Sequence, residues 1–303
     1  MHPPQRPVLA LGLRVCAALA IATMFMLGKL AVEDGVAVPE VMFWRQFVTL
    51  PVLGGWLLAT RQLSHLRTER IGSHARRAAS GMTGMLCNFS AVSLLPLAES
   101  TTLNFAAPLF AVIIAATLLR EHVGPWRWTA VACGFAGVLV ITHPGSSDLP
   151  LLGATAGILS ALFNAAISFQ IRDLGRTEPP VRVVFYFALF GSLLMALFLP
   201  FFATRHDSYQ WMLLLGVGLS GTIGQLLMTS ALRLGPVASV IVMDYTQIIW
   251  ATLFGWLIWN ILPGTSTWIG MPLVVAAGLV IAWREHKLSR RPVSDATGPG
   301  GAA

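Results

Sequence analysis

Apolar stretches of about twenty residues recur along the chain with only short polar breaks between them, and no single motif constrains the fold as strongly. A helix needs about 20 mostly apolar residues to cross the hydrocarbon core of a bilayer. There, backbone N–H and C=O groups find partners only within helices or closed barrels. Read as helices, the stretches fall near 8–31, 39–60, 78–97, 101–119 and 127–142, then near 151–171, 183–203, 210–232, 236–258 and 266–283. Such crossings with short connections use nearly all of the 303 residues. The expected fold class is all-α: a polytopic membrane protein of ten transmembrane helices. The first stretch is too long for the apolar core of a secretory leader and is read as the first crossing.

Charge supports the same class. Only 11% of residues are charged, against about 25% in soluble domains. A net charge of +7 would suit a nucleic-acid binder only if the basic residues shared a soluble face. Here they interrupt apolar stretches, so the lipid bilayer is the expected partner and nucleic acid is not. Cys16, Cys87 and Cys133 lie inside the stretches, where a thiol behaves as a small apolar group.

Lysine and arginine are retained on the cytoplasmic side of short loops. With the N-terminus inside, the cytoplasmic set is Arg6, Arg14, Arg61, Arg67, Arg70, Arg76, Arg77, Arg120, Arg127, Arg172, Arg176, Arg182, Arg233, Arg284, Lys287, Arg290 and Arg291. Only Lys29, Arg45 and Arg205 fall elsewhere. One missing crossing would invert every later assignment, so this asymmetry predicts ten crossings with both termini cytoplasmic. The tail over 286–303, rich in Gly, Ser, Pro and Ala, is expected to be disordered.

The two halves repeat. At an offset of 137 residues Gly81 meets Gly218, Gly84 meets Gly221, Ser93 meets Ser230 and Asn88 meets the similar Gln225. Five crossings per half force the second copy to enter the membrane from the opposite side, which predicts two inverted five-helix repeats over 1–145 and 150–285. Inverted repeats place a ligand site near the midplane and exchange conformations to give alternating access. A monomer already contains both halves.

The segment PLAESTTLNFAAPLFAVIIAATLLREHVGPWRWTAVACGFAGVLVITHPG, Pro96 to Gly145, and the segment DYTQIIWATLFGWLIWNILPGTSTWIGMPLVVAAGLVIAWRE, Asp244 to Glu285, resemble the drug/metabolite transporter superfamily in its EamA-type ten-span branch. The resemblance implies a bacterial inner-membrane carrier, similar to the aromatic amino-acid exporter of that superfamily. Such a carrier would export neutral or aromatic amino acids and related metabolites; import, or multidrug-type export, is the alternative. It also implies a central cavity lined by the first, third, fourth, sixth, eighth and ninth crossings, with the fifth and tenth as supports. The family pattern often has an acidic residue before the last crossing of each half. Glu121 fills it in the first half, and Asn260 stands there in the second.

The candidate cavity residues are polar groups inside crossings. Asp244 is costly in hydrocarbon, at least about 2.5 kcal/mol on the mildest scales. It is read either as an anchor for a substrate ammonium or a proton, or as a hydrogen-bonded tie between helices. Arg45 is a candidate for a substrate carboxylate, or an outer anchor like Lys29. Together, Arg45 and Asp244 would complement the two ends of a zwitterion. Asn88, Asn104, Asn164, Gln225 and Gln247 must face protein, water or ligand, and Asn88 and Gln225 fall at matching repeat positions. Trp44, Phe105, Phe163 and Tyr245 are candidates for an apolar wall. Pro108, Gly81, Gly84, Gly218 and Gly221 are candidate hinge or close-packing positions.

An intramembrane enzyme should show paired carboxylates, HExxH or a nucleophile with its base, and none appears. All seven histidines fall in expected loops or tails. No catalytic residue, metal or cofactor is therefore expected. A channel would want charged rings or a carbonyl filter, which are also absent.

Overall fold

The computed structural model describes residues 7–121, 123–142, 150–234 and 242–289. Their helices are α1 (Pro7–Glu33), α2 (Val38–Ala59), α3 (Ile71–Leu94), α4 (Leu97–Asn104), α5 (Ala107–Thr117), α6 (Pro125–Thr142), α7 (Leu151–Leu174), α8 (Pro180–Ala196), α9 (Leu199–Phe202), α10 (Ser208–Leu234), α11 (Thr246–Trp259) and α12 (Thr265–Ser289). Two 3₁₀ turns, Leu63–Leu66 and Met243–Tyr245, complete the described secondary structure. Among the described residues, six segments are long and apolar enough to cross a membrane: Val8–Glu33, Val38–Ala59, Leu97–Thr117, Leu151–Leu174, Ser208–Ala231 and Thr265–Arg284. Pro180–Ala196 is a shorter apolar helix. The chain is a multi-pass helical membrane protein.

Boundaries depart from the hydropathy reading where a helix continues past its apolar part. The helix expected from residue 78 begins at Ile71, because the HARRAAS segment is rich in good helix formers although it is polar. His74 and Arg77 are thereby brought into a helix and buried, at 1% and 7% exposure. His74 had been assigned to a loop and Arg77 to a cytoplasmic flank. The last helix runs to Ser289, beyond the expected start of the tail; 290–303 lies outside the described residues.

The stretch expected as one helix over 101–119 starts earlier, at Leu97, and is two helices, α4 and α5. Pro108 has no N–H to offer the carbonyl of Asn104, and its ring crowds that carbonyl. The chain turns through Phe105 and Ala106 instead, with Ala106 N donating to Leu103 O at 3.0 Å. The earlier start places Glu99 in the first helical turn, where the positive end of the helix dipole favours a carboxylate.

The packing partners pair off. Helix α1 lies along α10, and α7 lies along α3; α2 packs on α10, and α8 on α3. Helix α2 also packs on α8, and α6 on α12. The glycines sit at these contacts. A Cβ on Gly81 would meet Phe187 of α8 at 2.6 Å, and one on Gly218 would meet Val48 of α2 at 2.5 Å. Gly84 faces Phe163 of α7 at 2.9 Å, and Gly221 faces Met24 of α1 at 2.9 Å.

The α6–α12 crossing is the tightest on backbone. A Cβ on Gly137 would lie 2.7 Å from Gly270 O, and one on Gly270 would lie 2.5 Å from Gly137 O. Helices that approach this closely gain packing that lipid cannot supply. The turns into these last helices also match. Arg120 and Asn260 both adopt φ 53°, and the next N–H reaches back six residues in each, Glu121 to Ala115 O at 2.9 Å and Ile261 to Gly255 O at 3.1 Å. By this geometry Asn260 corresponds to Arg120 and Ile261 to Glu121, which corrects the sequence match of Glu121 with Asn260.

Both ends of the bundle are tied across its halves. At the end where α1 begins, Arg70 pairs with Asp173 at 2.5 Å, and Glu178 accepts from Arg182 at 2.5 Å and Thr68 at 2.8 Å. At the opposite end, Glu40 of α2 meets His206, before α10, at 2.6 Å, and Gln210 donates to Asp34 O at 2.8 Å. Lys29 donates to Val92 O and Leu95 O at 3.0 and 2.6 Å, which satisfies carbonyls left free at the C-terminus of α3.

Replacing Gly270 with Leu forces α6 and α12 apart and is expected to cost about 1–3 kcal/mol. A lowered thermal midpoint of the detergent-purified protein reads this out, with the exposed Leu139→Ala as an unaffected control. Burial disfavours the charged form of His206, but its hydrogen bonds to Glu40 and Gln210 and the charges of Glu40 and Asp207 outweigh burial and raise its pKa above the ordinary 6.5. The contribution of the pair is therefore complete below that ordinary value and is lost as pH rises through the raised one. Hydrogen exchange at the start of α10, corrected for intrinsic rates, should be faster at pH 9 than at pH 6. His206→Gln should remove the difference.

Candidate functional site

The bundle encloses a cavity of about 390 Å³ between its two sets of helices. Arg45 comes from α2, Arg77 and Asn88 from α3, Asn104 and Phe105 from the α4–α5 break, and Asn164 from α7. Phe187 of α8, Gln225 of α10, and Asp244 and Gln247 at the start of α11 complete the polar and aromatic lining. Helix α1 adds Ile21, Met24 and Phe25. A side lobe of about 220 Å³ shares Asn104, Phe105, Asn164, Asp244 and Gln247 and adds Pro108 and Tyr245. No described side chain of α6 or α12 lines the main cavity, whereas α2 and α8 contribute Arg45 and Phe187, beyond the set of crossings the resemblance implied.

Most of the sequence candidates converge here: Asn88, Asn104, Asn164, Gln225, Asp244, Arg45, Phe105, Gly81, Gly84 and Gly221 line the main cavity. Three candidates, Trp44, Phe163 and Gly218, line neither the main cavity nor the side lobe. Trp44 turns to the α2–α10 contact, edge-on to Trp211 at 4.8 Å. Phe163 is packed against Gly84 of α3. Gly218 is likewise filled by Val48. Tyr245 lies in the side lobe, its ring tilted against that of Phe105 with centroids 4.9 Å apart. Its hydroxyl occupies the space that a side chain on Gly278 would need.

Two polar ties cross the cavity. Asn164 donates to Asn104 Oδ1 at 2.6 Å, which joins α7 to α4. Arg14 of α1 grips Asp244 through both carboxylate oxygens, with Nε donating to Oδ1 and Nη2 to Oδ2. Its remaining edge donates to Met228 O at 3.3 Å. Arg14, assigned by sequence to the cytoplasmic flank, is thus buried inside the bundle at 5% exposure. A bidentate guanidinium pair satisfies a carboxylate in both charge and geometry, so Asp244 does not stand ready for a ligand ammonium.

Arg45 and Arg77 have no such partner. Arg45 donates to Gln46 Oε1 at 2.6 Å, and both guanidinium groups lie over Phe187, at 5.7 and 4.2 Å from the ring centroid. Arg45 Nε and Arg77 Nε and Nη1 are buried without a hydrogen-bond partner among the described residues. Arg77 was missed in sequence, yet Arg77, Gly81, Gly84 and Asn88 are spaced at i, i+4, i+7 and i+11. That is one helical face, and it was the available signal. Asp244 is also not the only enclosed acid, since Glu40 and Glu99 are 2% and 3% exposed. Glu99 accepts from Thr267 at 3.1 Å and from Gly264 N at 3.3 Å.

Comparison with known proteins fits this architecture. The sequence profile of the EamA-like transporter family matches residues 8–143 and again 151–283. The chain belongs to that family, within the drug/metabolite transporter superfamily, and is a membrane transporter of small metabolites, not an enzyme. It is 27% identical over 269 residues to the pseudopaline exporter CntI of Pseudomonas aeruginosa, covering 88% of this chain and 94% of the relative. It is 27% identical over 280 residues to the riboflavin transporter of Vibrio cholerae, covering 91% and 93%. A solved structure at 21% identity superposes with a TM-score of 0.59 over 90% of this chain and 98% of its own, which shows a shared fold.

Removing one partner of a buried ion pair leaves the other uncompensated. Asp244→Asn is expected to cost about 1–3 kcal/mol, because the carboxylate keeps 30% side-chain exposure toward the cavity. The double variant Arg14→Met with Asp244→Leu should recover most of that loss. Thermal unfolding of the three purified variants measures both effects.

Proposed function

We propose that this chain is a ten-span alternating-access carrier, built from inverted five-helix repeats over 1–145 and 150–285. In this reading it exports amino acids and related carboxylate-bearing metabolites from the cytoplasm across a bacterial inner membrane. The observation that carries the reading is the cavity, because its polar lining comes from both halves: Arg45, Arg77 and Asn88 on one side, Asn164, Gln225 and Gln247 on the other. The two consecutive family matches support the duplication. So do the reciprocal packing of α1 on α10 and α7 on α3, and the equivalent left-handed turns at Arg120 and Asn260.

The polar lining of the cavity runs from Arg77, near the beginning of α3, to Asn88, about 16 Å further along the helix. By the distribution of arginines this is the cytoplasmic side. Lys29, Glu99 and the Glu40–His206 pair fasten the other end. That arrangement suits a carrier loaded from within, and export by the pseudopaline relative agrees with it. Asn88 and Gln225 supply amide donors and acceptors for a polar solute, and Phe105 and Phe187 supply apolar wall. Import is the alternative direction, and the riboflavin transporter's name leaves direction open.

The purified full chain in liposomes tests the reading. A carrier should show saturable counterflow of a labelled metabolite when the vesicles are loaded with the same unlabelled solute. Uptake that rises linearly with concentration and ignores the internal load would contradict a carrier.

A further inference from the structure

The charges of the cavity do not balance, and the imbalance points to the ligand. Asp244 is neutralised by Arg14. At the end of the bundle where α1 begins, Asp173 is held by Arg70 and Glu178 by Arg182. Lys29 is bonded to carbonyls at the far end. Arg45 and Arg77, 9% and 7% exposed, carry no ion pair among the described residues. Both nevertheless border the cavity.

Their geometry leaves donors to spare. The Phe187 ring lies within cation–π range of both groups, 4.2 Å from Arg77 and 5.7 Å from Arg45, and offers their N–H groups no lone-pair acceptor. Arg45 spends Nη1 on Gln46, while Nε of Arg45 and Nε and Nη1 of Arg77 have no acceptor among the described residues. A buried donor without an acceptor is costly, and a buried unpaired cation more so. Gly81 and Gly221 remove the side chains that would fill this space: a Cβ at Gly81 would lie 2.8 Å from Arg77 Nη1, and one at Gly221 would lie 3.4 Å from Arg45 Nε.

We infer that Arg45 and Arg77, both beside Phe187, form an anion-binding site for a small organic ligand carrying two or more negative charges as carboxylates or phosphate. The inference rests on the transport reading and narrows its substrate class. It replaces the zwitterion match of Arg45 with Asp244, because the Asp244 charge is already used. The cavity presents two unmatched positive charges, and a dianion cancels both. A neutral amino acid offers one carboxylate and brings an ammonium with no free counter-charge among the residues that line the cavity.

Counterflow with matched solutes decides the question. Proteoliposomes of the full chain are loaded in turn with glutarate, glutamate and O-phosphoserine, with the net-neutral zwitterions glutamine and serine, and with lysine as a cation. The expected result is counterflow for at least one of the three anions that exceeds that of glutamine and of serine. Glutarate against O-phosphoserine distinguishes carboxylate from phosphate. Arg77→Gln and Arg45→Gln should each lower that flux at least about tenfold, and Arg77→Lys, which keeps the charge, should retain more of it than Arg77→Gln. Each variant is first checked for monodisperse elution. Counterflow of glutamine, serine or lysine that matches or exceeds the anions, or anion flux unchanged in Arg45→Gln/Arg77→Gln, overturns the anion site and leaves the transporter standing. Absence of counterflow for all six solutes likewise overturns the anion site, whereas saturable counterflow of another metabolite would still leave the transport reading standing.

Discussion

Hydrocarbon does not solvate charge, so each ionised side chain enclosed by the bundle has to be matched within it. An arginine at membrane depth costs about 2.5–3.5 kcal/mol even on the mildest scale. Four of the enclosed charges are matched locally: Arg14 by Asp244, Lys29 by the last carbonyls of α3, Glu99 by Thr267 and Gly264 N, and Glu40 by His206. These ties do more than neutralise. The first joins α1 to the turn before α11, the third joins α4 to the start of α12, and the fourth joins α2 to the segment that leads into α10. Against that background the two unmatched guanidinium groups on Phe187 stand out, and they sit where the helices leave a cavity.

The same constraint explains the glycines. Close contact between helices is what replaces the hydrophobic drive that lipid removes, and the approach at Gly137 and Gly270 brings backbone onto backbone. No described side chain of α6 or α12 lines the cavity. The helices that do line it meet through glycines whose missing side chains are replaced by Phe187, Phe163, Val48 and Met24. In a carrier that alternates, those flexible fillers would slide where backbone contacts could not.

Apolar length was readable from sequence because hydrophobic thickness imposes it, and so was the membrane class. Helix starts were less readable. Hydropathy marks where a helix enters lipid rather than where it begins, which is why Arg77 was counted with a flank and Glu99 with a connection. The candidate amides were legible as a chemical necessity: Asn88, Asn104, Asn164 and Gln225 had to avoid lipid, and all four line the cavity. Aromatic candidates carried no such necessity, and Trp44 and Phe163 pack elsewhere. The Arg14–Asp244 pair joins residues 230 positions apart, a relation that no local pattern encodes. Without it, Asp244 looked available to a ligand.

Access to Gln225 from the two sides of the membrane tests the central claim most directly. In a background with Cys16, Cys87 and Cys133 replaced by Ala, Gln225→Cys would be exposed to a membrane-impermeant thiol reagent in right-side-out and in inverted vesicles. Alternating access through this cavity predicts labelling from both sides. Labelling confined to one side, or absent from both, would contradict it.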